Sequence, residues 1–328
     1  MHIYKKNAIF LHFYRHFELK NFLFSHNYCT FAHFFRKIAY TNIIMQIITT
    51  KNELTRQVAA CIRQNKTIGF VPTMGALHEG HASLVRRACS ENEICFVSIF
   101  VNPTQFNNAE DLQKYPRTLE QDALLLESLG VHFIFAPTPE EMYTEEEMKM
   151  PFSFDFNGLD LVMEGKMRPG HFNGVVQVVS RLFELVRPTR AYFGEKDFQQ
   201  LAIIRHMVEH SSLASHFEDL QIIGCPIVRE ASGLALSSRN QRLSNEEKQT
   251  AVGISQALIS SLKWAETASV AEVQQRVIDT INAIEGLEVE YYEIVDKNTL
   301  QPTNTFHNAI GCVTVYCGPV RLIDNIQY

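Results

Sequence analysis

Two histidines three residues apart, His78 and His81, stand in the run Pro72-Thr73-Met74-Gly75-Ala76-Leu77-His78-Glu79-Gly80-His81. The apolar stretch Thr67–Pro72 before them reads as a strand, and Ser83–Ala88 after them reads as a helix. On a first helical turn, residues at this spacing share one face. Gly75 lets the backbone approach a ligand closely, and the free N–H groups of a helix start attract phosphate. Two imidazoles placed there can donate to phosphate oxygens as negative charge grows during attack at phosphorus. The plain alternative is a pair of satisfied structural histidines. A zinc site is a poor reading, because no third ligand lies nearby in the motif.

Four further segments carry groups suited to the same chemistry. Phe100-Val101-Asn102-Pro103-Thr104-Gln105-Phe106 closes a buried strand with two neutral amides, and Gln105 can hold the hydroxyl and carboxylate groups of a small polar acid. Met167-Arg168-Pro169-Gly170-His171-Phe172-Asn173-Gly174 delivers a helix whose Arg168 either counters a carboxylate or makes a surface salt bridge. In Phe193-Gly194-Glu195-Lys196-Asp197-Phe198-Gln199-Gln200, Gly194 permits a tight turn beside a ligand and Lys196 is a point charge suited to phosphate. Asp197 can hold Mg²⁺ or the nucleotide, and Gln200, one turn on, faces the same way. In Leu234-Ala235-Leu236-Ser237-Ser238-Arg239-Asn240, two hydroxyls and a planar guanidinium make a phosphate clamp.

The elements that must position these groups alternate. Strands are expected at 94–101, 132–136, 191–193 and 220–228. Helices are expected at 119–129, ending on Gly130, at 172–186 with Pro188 beyond, and at 198–210. This rhythm predicts an α/β fold: a Rossmann-like, doubly wound parallel sheet that binds ligands beyond the carboxyl ends of its strands. From about residue 229 the texture changes to two helices (245–266 and 270–284) and alternating strands at 288–296 and 309–316. The division expected is a nucleotide- and small-acid-binding domain at 45–228 and a smaller C-terminal α+β domain at 229–328 that closes over it.

With these motifs quoted, a resemblance emerges. HxGH at a strand-to-helix junction resembles the nucleotidylyltransferase superfamily, and the longer PTMGALHEGH is similar to the pantothenate synthetase family within it. Asn102–Phe106, Tyr115-Pro116-Arg117, RPGHF, GEKD-x-Q-Q and SSRN follow in that family's order, from Met45 to the C-terminus. The resemblance implies that Met74, Gly75, Ala76, Leu77, His78, Glu79, Gly80 and His81 line the ATP site. Gly194, Glu195, Lys196, Asp197, Leu236, Ser237, Ser238 and Arg239 complete it, and the Val228 backbone meets adenine. His78, His81, Lys196 and Arg239 carry the catalysis. Gln105, Gln200, Asn102, Tyr115 and Arg168 bind pantoate and β-alanine, and Asp197 holds Mg²⁺. Leu236 stands where the family usually has Met, a volume-conserving exchange.

The implied reaction has two halves. The pantoate carboxylate attacks the α-phosphorus of ATP, giving pantoyl adenylate and pyrophosphate. The β-alanine amine then displaces AMP to form pantothenate. A nucleotidylyltransferase that keeps AMP on its product is the alternative enzyme, and a silent nucleotide-binding module the alternative class. The family is typically a cytoplasmic homodimer.

Composition agrees with an ordinary globular chain of 328 residues. A formal charge of −6 argues against general nucleic-acid binding, and no apolar run is long enough to span a membrane. The seven cysteines form no CxxC pair and read as reduced thiols. Residues 1–44 differ: no Gly or Pro, twelve aromatic residues, five histidines and one acidic residue, Glu18. They are expected to lie outside the fold, with translation starting at Met45. A transit peptide and a His-rich metal tract are the alternatives.

Overall fold

The computed structural model describes residues 45–106, 109–150, 152–210, 217 and 219–328. The expectations for residues 1–44, Cys29 included, lie outside the described residues. Six strands form one parallel sheet: β1 (Gln46–Ile48), β2 (Ile68–Thr73), β3 (Ile94–Ile99), β4 (Phe133–Phe135), β5 (Arg190–Gly194) and β6 (Gln221–Cys225). Their order is β1-β4-β3-β2-β5-β6. The chain winds outward from β2 to β3 and β4, then returns to place β5 on the other side of β2. The winding therefore reverses between β2 and β5, the position at which open α/β sheets bind ligands. Pairing of β2 with β5 covers only Gly69 and Phe70. Pro72 has no N–H to offer the ladder, so the two strands part before their carboxyl ends.

Alternating side chains bury both faces of the sheet. Phe70 and Phe96 face α1 (Lys51–Arg63), α8 (His171–Val186) and α9 (Phe198–His210) through residues such as Leu54, Phe183 and Ile203. Val71, Cys95 and Val97 face α2 (Glu79–Glu91) and α4 (Leu119–Ser128) through Leu84, Val85, Ala88 and Leu126. Phe70 and Phe183 meet edge to face at 6.3 Å. Burying one such ring contributes about 1.5–3 kcal/mol. Between these elements lie the short helices α3 (Ala109–Lys114), α5 (Pro139–Met142), α6 (Glu145–Lys149) and α7 (Met163–Met167).

The second sheet is an antiparallel meander, β7 (Leu287–Asp296), β8 (Ala309–Cys317) and β9 (Val320–Gln327). It packs with α10 (Asn245–Trp264) and α11 (Val270–Asn282) around Leu258, Val277, Tyr292 and Val315. Ser244 and Ser269 begin these helices with capping boxes to Glu247 and Glu272. The described residues from 45 onward pack as one compact unit containing both sheets.

The alternating pattern is that expected from sequence, with three differences. The strand expected at 220–228 ends at Cys225, because Pro226 cannot extend the ladder. The helix expected through Ser83–Ala88, with His78 and His81 on its first turn, begins at Glu79 and leaves His78 as its cap. β1, α1 and β9 lie outside the expected elements, although α1 carries an apolar stripe of Leu54, Val58 and Cys61. Of the six free cysteines among the described residues, five are buried and Cys89 is half-buried.

Candidate active site

The four loops that leave β2, β3, β5 and β6 at their carboxyl ends carry most of the groups singled out by sequence. After β2, Gly75 and Ala76 both adopt positive φ, +81° and +51°. Only glycine enters this region without cost. The conformation at Ala76 is held by Asp122 of α4. Its buried carboxylate accepts N–H bonds from Ala76 (3.0 Å) and Leu77 (2.8 Å) and the Thr118 hydroxyl (3.0 Å). Sequence reasoning missed Asp122, since a carboxylate inside a helix that starts more than forty residues later carries no local signal.

His78 is the N-cap of α2 rather than a residue of its first turn, and His81 is the third helical residue. His78 Nδ1 accepts from the Gly80 N–H (3.1 Å), and His81 Nδ1 accepts from the His78 N–H (3.4 Å). With both Nδ1 atoms accepting, each neutral ring carries its proton on Nε2, so both present a donor. The ring centroids are 4.1 Å apart. Burial, then the Lys196 charge, lowers the His78 pKa to about 4, with Asp197 opposing. Burial, then His78 and Lys196, lowers that of His81 to about 3. Both are therefore neutral donors at pH 7, and the Lys196 charge is felt by both. Glu79 has an exposed carboxylate that pairs with Arg86 at 2.5 Å, so of that residue only the backbone faces the motif.

After β3, Asn102 is 1% exposed. Its amide donates to Gln105 Oε1 (3.1 Å) and to the Gly174 carbonyl (3.0 Å). Its oxygen accepts from the hydroxyls of Tyr143 (3.0 Å) and Thr104 (3.1 Å). Every group of this side chain is used inside the protein, which makes it a support for Gln105. Gln105 Nε2 reaches Met74 Sδ at 3.3 Å, joining the β3 loop to the HxGH loop. Gly174 is required by close approach: a Cβ there would lie 2.4 Å from the Thr104 carbonyl oxygen.

After β5, Glu195–Asp197 form a one-turn helix that leads into α9. Lys196, Asp197 and Gln200 line a cleft together with Arg168, His171 and Arg239. His171 Nδ1–H donates to the Gln105 carbonyl (2.8 Å), leaving Nε2 to accept from Arg168 (3.3 Å). Burial, reinforced by Arg168, lowers the His171 pKa to about 4. Arg168 also lies 3.7 Å from Glu164. Its ion pair thus sits at the cleft, which unites the two readings offered for this residue. His171 stood within a quoted motif, yet its role as a strut between Gln105 and Arg168 had no signature.

After β6, the Val228 carbonyl accepts from the Leu236 N–H at 3.0 Å, folding the loop back. Ser237 caps the one-turn helix Ser238–Arg242 by accepting from the Arg239 N–H. Leu236 packs over the start of α2: a Cβ placed on Gly80 would be 3.8 Å from Leu236 Cβ. The Tyr115 hydroxyl hydrogen-bonds to Ser238. Burial raises its pKa, while the nearby Arg239 charge lowers it and Asp122 and Asp197 raise it. Tyr115 therefore links the Ser237–Arg239 loop to the rest of the site.

Among the described residues no three His, Cys, Asp or Glu side chains form a metal-binding group. Glu164 and Asp324 also line the cleft, but they are bound to Arg321 and Arg229. Asp197 is left as the carboxylate beside Lys196. Mg²⁺ usually takes one or two protein carboxylates plus phosphate oxygens and water, so this donor set suits an ion that arrives with a nucleotide.

A Rossmann-like sheet with paired imidazoles, a lysine and a serine–arginine loop around its switch point defines a nucleotide-binding α/β enzyme. Comparison with known proteins narrows the class. The sequence profile of the Pantoate-beta-alanine ligase family matches residues 46–327, and the chain belongs to that family. It is 56% identical over 287 residues to a pantothenate synthetase of Bacteroides fragilis, covering 87% of this chain and 99% of the relative. A Porphyromonas gingivalis pantothenate synthetase is 51% identical with the same coverage. The crystal structure of a pantothenate synthetase from Thermus thermophilus superposes with a TM-score of 0.79 at 43% identity, covering 86% of this chain and 99% of that one. A pantoate-beta-alanine ligase from Francisella tularensis, complexed with β,γ-ATP and β-alanine, gives 0.70 at 36% identity, covering 86% and 97%.

Proposed function

We infer that the protein condenses pantoate with β-alanine at the expense of ATP, through a pantoyl-adenylate intermediate, releasing AMP and pyrophosphate. The observation that carries this reading is the convergence of His78, His81 and Lys196 at the switch point, with Arg239 in the cleft Lys196 lines. Adenylation needs charge neutralised around the α-phosphorus and the departing pyrophosphate. The Nε2–H groups of His78 and His81 donate to phosphate oxygens, Lys196 supplies a full charge, and Ser237, Ser238 and Arg239 close over the triphosphate. Asp197 would hold Mg²⁺, which adds Lewis-acid neutralisation of the phosphates when bound. Gln105, oriented by Asn102, and Gln200 bind pantoate, with Tyr115 and Arg168 bordering the acid and β-alanine. Met74, Gly75, Ala76, Leu77 and Glu79 contribute the wall of the ATP site, as do Gly194, Glu195, Val228 and Leu236.

The second half-reaction requires that water be kept from the acyl adenylate. The region from residue 229 serves as the cover, and a homodimer in the cytoplasm is the form in which the enzyme acts. No helix among the described residues is long and apolar enough to cross a membrane.

The deciding experiment is AMP release from ATP and pantoate, with and without β-alanine. Stoichiometric AMP and pantothenate only with β-alanine are expected. Adenylylated product that accumulates without AMP release would favour a nucleotidylyltransferase, and ATP binding with no turnover a silent module. His81→Ala or Lys196→Ala should slow pantoate-dependent pyrophosphate exchange into ATP by at least about a hundredfold. Near-normal exchange would remove the assigned role.

A further inference from the structure

The turn that carries Lys196 and Asp197 is held by a residue 130 positions away. Asn325 of β9 is 4% exposed, and its amide donates to two successive carbonyls, Glu195 O at 2.8 Å and Lys196 O at 3.0 Å. A one-turn helix leaves its carbonyls largely without intrahelical partners. Glu195 and Lys196 are half-buried, and a fixed donor from the protein holds their carbonyls, and with them the turn, in one place. A single primary amide has two N–H groups and satisfies both. The neighbouring Asp324, 5% exposed, forms a bidentate pair with Arg229 (2.6 and 2.9 Å), at the start of the loop that leads to Ser237–Arg239. Asp324 also accepts the Asn325 N–H at 2.8 Å. Two adjacent residues of the last strand thus fasten two of the three loops assigned to the triphosphate.

We propose that Asn325 is a positioning residue for adenylation: by bonding Glu195 O and Lys196 O it fixes the turn that aims Lys196 and Asp197, and ties the C-terminal sheet to the phosphate site. The residue touches no substrate; it acts through the turn. The catalytic part of this proposal rests on the adenylation reading, and the structural part does not.

The test uses Asn325→Ala and the isosteric Asn325→Asp in the full-length protein. Asn325→Ala should lower kcat for pantoate-dependent pyrophosphate exchange by about tenfold or more, while leaving KM for pantoate within about twofold, because a displaced charged group costs rate. Amide exchange followed by mass spectrometry should quicken over 194–200 while β3 keeps wild-type protection. Asn325→Asp sets a carboxylate against two carbonyls at neutral pH. Its relative kcat should recover as pH falls, since a protonated carboxyl regains one donor, whereas Asn325→Ala should show no such recovery. Wild-type kcat and wild-type exchange over 194–200 in Asn325→Ala would overturn the proposal. So would a loss matched by exchange throughout the protein and equal in both variants at every pH. A wild-type chain without pyrophosphate exchange would instead refute adenylation, and the amide-exchange comparison would still decide whether Asn325 holds the turn.

Discussion

Asp122→Asn is the substitution that most directly asks whether the HxGH loop must be held for the chemistry to proceed. Asp122 Oδ2 accepts from Ala76 N–H and the Thr118 hydroxyl, and Oδ1 accepts from Leu77 N–H at 2.8 Å. An asparagine keeps one of these acceptors. Its NH₂ must then face an N–H donor, losing a charge-assisted bond and leaving a buried donor without a partner. Together these cost about 3 kcal/mol. Part will appear as lower stability in urea. The rest will appear as relaxation of the positive-φ turn, which moves His78 and His81. A shift of about 1 Å at catalytic groups costs about a hundredfold in rate. Pantoate-dependent pyrophosphate exchange should therefore fall by about that factor, with KM for pantoate little changed. Thr118→Val is the control: it removes one bond and neither backbone contact, and should cost about 1 kcal/mol of stability with exchange nearly intact. Exchange within about twofold of wild type in a folded Asp122→Asn enzyme would refute the reasoning.

Other outcomes follow from the same geometry. Nitrogen-15 NMR of the free protein should find His78 and His81 neutral and protonated on Nε2 at pH 7, gaining charge only near pH 4 and below; a titration near 6.5 for either would contradict the assigned burial and the effect of the Lys196 charge. Glu164 is hydrogen-bonded by Arg321, Tyr291 and Thr314. Burial opposes its ionisation, but Arg321 outweighs burial and holds its pKa at about 2, against an ordinary 4.5. Because the folded value is depressed, its stabilisation of about 3 kcal/mol is present above pH 4.5 and lost as pH falls toward 2. Glu164→Gln should be less stable in urea at pH 7, with the gap to wild type narrowing by pH 3. Gly174→Ala should destabilise by at least about 2 kcal/mol and raise KM for pantoate, since the Thr104 carbonyl and Gln105 must move to admit the methyl.

Much of the site was legible because its residues sit in short runs directly after strands. His78, Gln105 and Lys196 could be placed at strand ends from the apolar runs before them, and the parallel order of the sheet brings those ends together. What stayed hidden is support that comes from afar. Asp122 reaches the β2 loop from α4, and Asn325 reaches the β5 turn from the last strand. Neither makes a pattern with its sequence neighbours, because the partners are backbone atoms 45 and 130 residues away. The same holds for Asn102, whose amide suggested a ligand but is consumed by Gln105, Gly174, Thr104 and Tyr143. The fold was legible where periodicity was long, as in α8 and α9. It was not in α1, whose apolar stripe is set in a mostly polar run, or in β9, an edge strand whose alternation gives way to the buried Asp324 and Asn325.

The most direct test is a crystal structure of the protein with a non-hydrolysable ATP analogue and pantoate. His78 Nε2, His81 Nε2, Lys196 Nζ and the Arg239 guanidinium should all lie within hydrogen-bonding distance of one triphosphate, with the pantoate carboxylate held by Gln105 facing its α-phosphorus. A triphosphate bound elsewhere, or contacted by the histidines while Lys196 and Arg239 face another pocket, would contradict adenylation at this site.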